Sequence, residues 1–187
     1  MSEDLNFTQA YLAELSRTLA DYDPRSIADF ISLLRVTRDE GKRIFIFGNG
    51  GAAAAASHFT CDLGKGASLG RPVRFQIQCL NDNIPWLTAL SNDVDYADCF
   101  VEQLQNFASP GDVVIGVSAS GNSLNVLKAV NWAGANECRA VGISGFDGGE
   151  LRDISELFIH IPSSHMGQIE DGHCIVLHLV AYALMED

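Results

Sequence analysis

Apolar side chains recur at helical spacing through the first forty residues: Phe7, Tyr11, Leu12, Leu15 and Leu19, then Ile27, Phe30, Ile31, Leu34 and Val36. Residues three and four apart share one face of a helix, so the pattern predicts two amphipathic helices. Asp23-Pro24 separates them, with proline suited to a first helical position. This hairpin, over 1–41, either covers an edge of the remaining fold or forms a subunit interface. Phe7, Tyr11 and Phe30 offer more apolar surface than a small lid needs.

From residue 42 the rhythm changes. Short apolar runs over 43–48, 113–118, 140–144 and 157–161, with an alternating run over 73–78, read as strands. Helical stretches lie between them, over about 51–63, 97–107, 122–135 and 166–186. Strands apolar on both faces that alternate with helices predict an α/β three-layer sandwich, with a parallel sheet between two layers of helices. No linker or repeat interrupts 42–187, so hairpin and core are expected to form one domain. Ligands of such sheets gather at the carboxyl ends of the strands, which singles out the loops after Phe47, Gln78, Ser118 and Ser144.

Two of these loops carry chemistry. Asn49, Gly50 and Gly51 follow a strand and open a helix, so backbone N–H groups can approach an anion closely. The same string fits a dinucleotide fingerprint. That motif needs an acidic residue at the end of the second strand, about 20 residues on; the nearest there, Asp82, lies about 32 residues past Gly50. The second loop holds Ser118, Ser120 and Ser123 around Gly121. Capping of the next helix needs one such residue; three hydroxyls after an apolar strand suit a bound phosphate.

Charge narrows the ligand. Twelve basic against twenty-four acidic residues give a formal net charge of −12. Such a chain is a poor partner for nucleic acid, whereas a small phosphate ester can be held by local N–H groups. Five cysteines, an odd number without a C-x-x-C pair, read as reduced thiols. The polar amino-terminal stretch and the lack of a long apolar run predict a cytoplasmic protein that does not enter membranes.

The G-N-G-G string at 48–51, N-D at 92–93, P-G-D-V-V-I-G at 110–116 and S-x-S-G-N-S at 118–123 together resemble the sugar isomerase (SIS) domain family, from about residue 5 to the end. The resemblance implies a five-stranded parallel sheet of flavodoxin-like type. It implies aldose–ketose isomerisation of a phosphorylated sugar, most nearly sedoheptulose 7-phosphate, through an enediol. It also implies a homotetramer with active sites shared between chains. The family's metal set, usually for zinc, maps onto His58, Asp62, Glu170 and His178, and its acid/base groups onto Asp62 and His178. Asp93 would hold sugar hydroxyls or orient a base, and Glu170 would also face substrate. His173 is expected to be structural.

Here Asp62 stands for the family's Glu and Glu170 for its Gln. Ala52, Ala119, Gly66 and Gly167 replace a Ser, a Thr, an Arg and an Asp. These changes remove polar contacts to the sugar and keep the phosphate loop. They leave two alternatives: an isomerase of another ketose phosphate, or a family member that binds a sugar phosphate without turning it over.

Overall fold

A computed structural model describes residues 2–187. Five strands, β1 (Arg43–Gly48), β2 (Gln76–Cys79), β3 (Val113–Val117), β4 (Arg139–Ser144) and β5 (Leu157–His160), form one sheet. All pairings are parallel and the order is β2-β1-β3-β4-β5. This is the flavodoxin-like order, with its switch point between β1 and β3.

Eight α-helices accompany the sheet: α1 (Glu3–Ala20), α2 (Pro24–Asp39), α3 (Gly51–Cys61), α4 (Ile84–Asp93), α5 (Val101–Phe107), α6 (Leu124–Ala135), α7 (Gly149–Ile154) and α8 (Met166–Met185). Alternation along β1 sends Ile44 and Ile46 to one core, shared with α2, α3 and α8. Phe45 and Phe47 enter the other, shared with α5, α6 and α7. The strands are therefore covered on both faces, as their continuous apolar character requires.

The expected elements appear with shifted ends. The alternating run over 73–78 yields a shorter edge strand, β2. The stretch expected as one helix from 97 divides into a 3-10 turn, Tyr96–Asp98, and α5. Two helices lacked a sequence counterpart. None of the residues of α4 is buried, so no apolar stripe announces it, and α7 has six residues. The expected helix over 51–63 ends at Cys61 and continues as a π-helical turn, Asp62–Gly66.

Candidate active site

The two loops meet at the switch point. The helices they open, α3 and α6, both begin without a capping side-chain hydrogen bond. Each other helix of ten or more residues has one, from Ser2, Asp23, Asn83 or His165. Ser123 holds the N-cap position of α6, yet its hydroxyl accepts from the Ser118 hydroxyl at 3.1 Å instead of capping. Uncapped amino-terminal N–H groups facing a common opening are the local arrangement that binds an anion. Ser118 is buried, and Ser120 and Ser123 are half-buried.

The loops are braced against each other by Asn49 of the first motif and two side chains that no motif announced, Asn125 and Tyr96. Asn49 Nδ2 donates to Asn125 Oδ1 at 2.9 Å, and Asn125 Nδ2 returns a bond to Asn49 Oδ1 at 2.9 Å. The Tyr96 hydroxyl donates to the same Asn49 oxygen at 2.7 Å. Both acceptor positions of Asn49 are thus used inside the protein. Asn81 grips the turn from the other side, donating to the Gly48 carbonyl at 2.9 Å and accepting from its N–H at 3.2 Å. An Asn early in a helix reads as a generic cap, which is why Asn125 carried no signal.

At its far end α3 meets α8. His58, Asp62 and His178 offer ligand atoms that all lie within 4.8 Å of one another. The two Nε2 atoms of the histidines are 2.8 Å apart. Asp62 Oδ2, buried and without a hydrogen-bond partner, lies 3.3 Å from His58 Nε2 and 3.8 Å from His178 Nε2. An orphaned carboxylate oxygen facing two imidazole nitrogens fits a divalent cation with nitrogen and oxygen ligands.

Glu170 is not in this cluster. Helix α8 runs unbroken from Met166 to Met185, so eight residues of rise carry Glu170 about 12 Å from the level of His178. Its carboxylate instead lies over the start of α3, with both oxygens 2.7–2.8 Å from the place a Cβ on Gly51 would occupy. Gly51 thereby admits the carboxylate beside the Gly-rich turn. Asp93 ends α4, exposed, and accepts a hydrogen bond from its neighbour Asn92 at 2.8 Å. It is the last residue of a helix rather than part of an open turn. His173 is fully buried with both ring nitrogens unpaired, and burial pulls its pKa down to about 4.

A flavodoxin-like sheet with two uncapped helix starts at its switch point and an imidazole–carboxylate cluster one helix-length away defines a phosphosugar-handling α/β domain. The sequence profile of the SIS domain matches residues 7–145, and the chain belongs to that family. It is 37% identical over 169 residues to a phosphoheptose isomerase of Geobacter sulfurreducens, covering 90% of this chain and 87% of that protein. A phosphoheptose isomerase of Mycobacterium bovis is 36% identical over 141 residues, covering 75% and 71%. Among solved structures, a phosphoheptose isomerase from Neisseria gonorrhoeae superposes with a TM-score of 0.90 at 24% identity, covering 98% of this chain and 99% of that one. One from Francisella tularensis gives 0.89 at 22% identity over the full length of both.

Proposed function

We propose that the protein is a phosphoheptose isomerase, interconverting sedoheptulose 7-phosphate and the corresponding aldose phosphate. The observation that carries this reading is the layout of α3. One end opens at the phosphate cradle, and the other holds His58 and Asp62 against His178. Gly51 and His58 are separated by about 10 Å of helix, comparable with an extended seven-carbon chain and its phosphate.

In the chemistry proposed, the cradle of Ser118, Ser120, Ser123 and the Gly50–Gly51 backbone anchors the phosphate. Anchoring the far end converts proton transfer at the other into a positioned, unimolecular step. Asp62 and His178 form the proton-transfer pair. One removes a proton from C1 of the ketose while the C2 oxygen gains one, giving the enediol. The C1 hydroxyl then gives up its proton, and one is delivered to C2, leaving the aldehyde. His58, Asp62 and His178 would hold a divalent cation, zinc by the chemistry of the set, which when bound polarises the carbonyl and stabilises developing oxyanion charge. Glu170, beside Gly51, receives a sugar hydroxyl rather than the cation. Asp93 takes another hydroxyl once α4 and the substrate are brought together.

Helix α1 supports the assembly proposed, a homotetramer with shared sites. Only Thr18 of its eighteen residues is buried, while Phe7 and Leu12 stand well exposed. An isolated helix of this length needs a packing partner. Leu179 and Tyr182 are a second exposed apolar pair, on α8 beside His178, and a neighbouring copy seated on them would line the same site. None of the described helices is long and apolar enough to cross a membrane. Five free thiols suit a reducing cytoplasm.

The test is turnover. Incubation with sedoheptulose 7-phosphate, with Zn²⁺ or with a chelator, should yield the aldose phosphate by NMR in a chelator-sensitive manner. Turnover of a different ketose phosphate alone would reassign the substrate. Saturable binding without turnover of any ketose phosphate would leave a binding protein.

A further inference from the structure

A cleft of about 590 Å³ opens at the carboxyl ends of β3 and β4, lined by Ser120, Asn122, Phe146, Asp147 and Ser164. Phe146 has φ +49°, in the left-handed region that bulky side chains avoid. Glycines stand at 145, 148 and 149 in the same loop, so a residue free of this strain was available one position away. The strained backbone is held in place: the Phe146 N–H donates to the Ser163 carbonyl at 2.9 Å, and its carbonyl lies 2.9 Å from His160 Nε2. The ring it presents is 38% exposed. Strain retained to display an exposed aromatic ring points to recognition rather than to packing.

The lining indicates what is recognised. An aromatic face accepts the C–H surface of a sugar ring. Asp147 spends Oδ1 on the Gly149 N–H at 3.1 Å, and its other oxygen has no hydrogen-bond partner among the described residues. The hydroxyl of Ser164 completes a set that matches ring hydroxyls. The lining holds a carboxylate and no cationic side chain to offset a phosphate, so the occupant is uncharged.

We propose that this cleft binds an uncharged sugar, its ring stacked on Phe146 and its hydroxyls met by Asp147 and Ser164. The site is coupled to the phosphate cradle through the loop they share. Gly121 packs so closely on Gly148 that a Cβ there would collide with the Gly148 carbonyl. The Gly145 N–H also donates to the Ala119 carbonyl at 2.9 Å. Occupancy of the cleft does not depend on which phosphosugar the cradle takes.

Saturation-transfer NMR on the full chain tests it, using free glucose, mannose, fructose and sedoheptulose with inorganic phosphate present to fill the cradle. At least one sugar should show ring-proton saturation at millimolar concentration. That signal should fall about tenfold or more in Phe146→Gly and in Asp147→Asn. Glycine adopts positive φ freely, so Phe146→Gly should keep the fold. No transfer from the whole panel, or transfer unchanged in Phe146→Gly, would each overturn the proposal.

Discussion

His173 is surrounded by the aliphatic core between α8 and the sheet, with neither ring nitrogen paired. Its native pKa is near 4 because burial penalises the charged form, while an unfolded histidine titrates near 6.5. Below pH 6.5 the unfolded chain therefore binds a proton that the native state refuses, and stability falls as pH drops toward 4. The cost at pH 5 is about 2 kcal/mol. Urea midpoints at pH 7 and pH 5 should show this loss, and His173→Leu should reduce it; an unchanged pH dependence in that variant would place the effect elsewhere. At this scale His58, Asp62 and His178 were legible in the sequence. Spacing of four puts the first two on one helix face, and the family pattern supplied the third. The placement of Glu170 was not legible, because whether a helix bends between 170 and 178 depends on packing around it. His178→Ala should lower kcat/KM by about 10²–10⁴-fold in a turnover assay, the usual worth of a positioned proton-transfer group.

Asn49 and Asn125 join the turn before α3 to the first turn of α6. Their reciprocal amide bonds set the separation of the two loops proposed to hold the phosphate. Asn125→Ala leaves the Asn49 amide short of partners in a half-buried site, a loss of about 1–3 kcal/mol. It should also raise KM for the phosphosugar more than it lowers kcat, as steady-state kinetics would show, since the bond positions the cradle and touches no reacting atom. A loss of stability with KM unchanged would make the pair a structural brace alone. The strands and the long helices were readable from periodicity because their faces are buried. Helix α4 was not, although Asn83 and Pro85 at its start are ordinary start signals. Without a buried stripe those signals read as a loop.

Over the whole molecule the alternation of strand and helix predicts a parallel sheet covered on both faces, whereas the flavodoxin-like strand order was implied only by the family resemblance. The assembly does not follow from the fold of one chain; it rests on where apolar surface is left uncovered. Sedimentation equilibrium should give a mass near four times the 20.2 kDa chain. Phe7→Glu combined with Leu12→Glu should shift it toward smaller species, because charge on that face opposes burial. A monomer in the unaltered protein would contradict the shared-site arrangement.

The central claim is that Asp62 and His178 move a proton between two carbons of a bound ketose phosphate. The most direct measurement is deuterium entry at C2 of the aldose formed from sedoheptulose 7-phosphate in D₂O, followed by NMR. Incorporation by the wild-type protein, and its loss in Asp62→Ala and His178→Ala variants that still bind inorganic phosphate, is the predicted result. Turnover and incorporation undiminished in both variants would contradict the account.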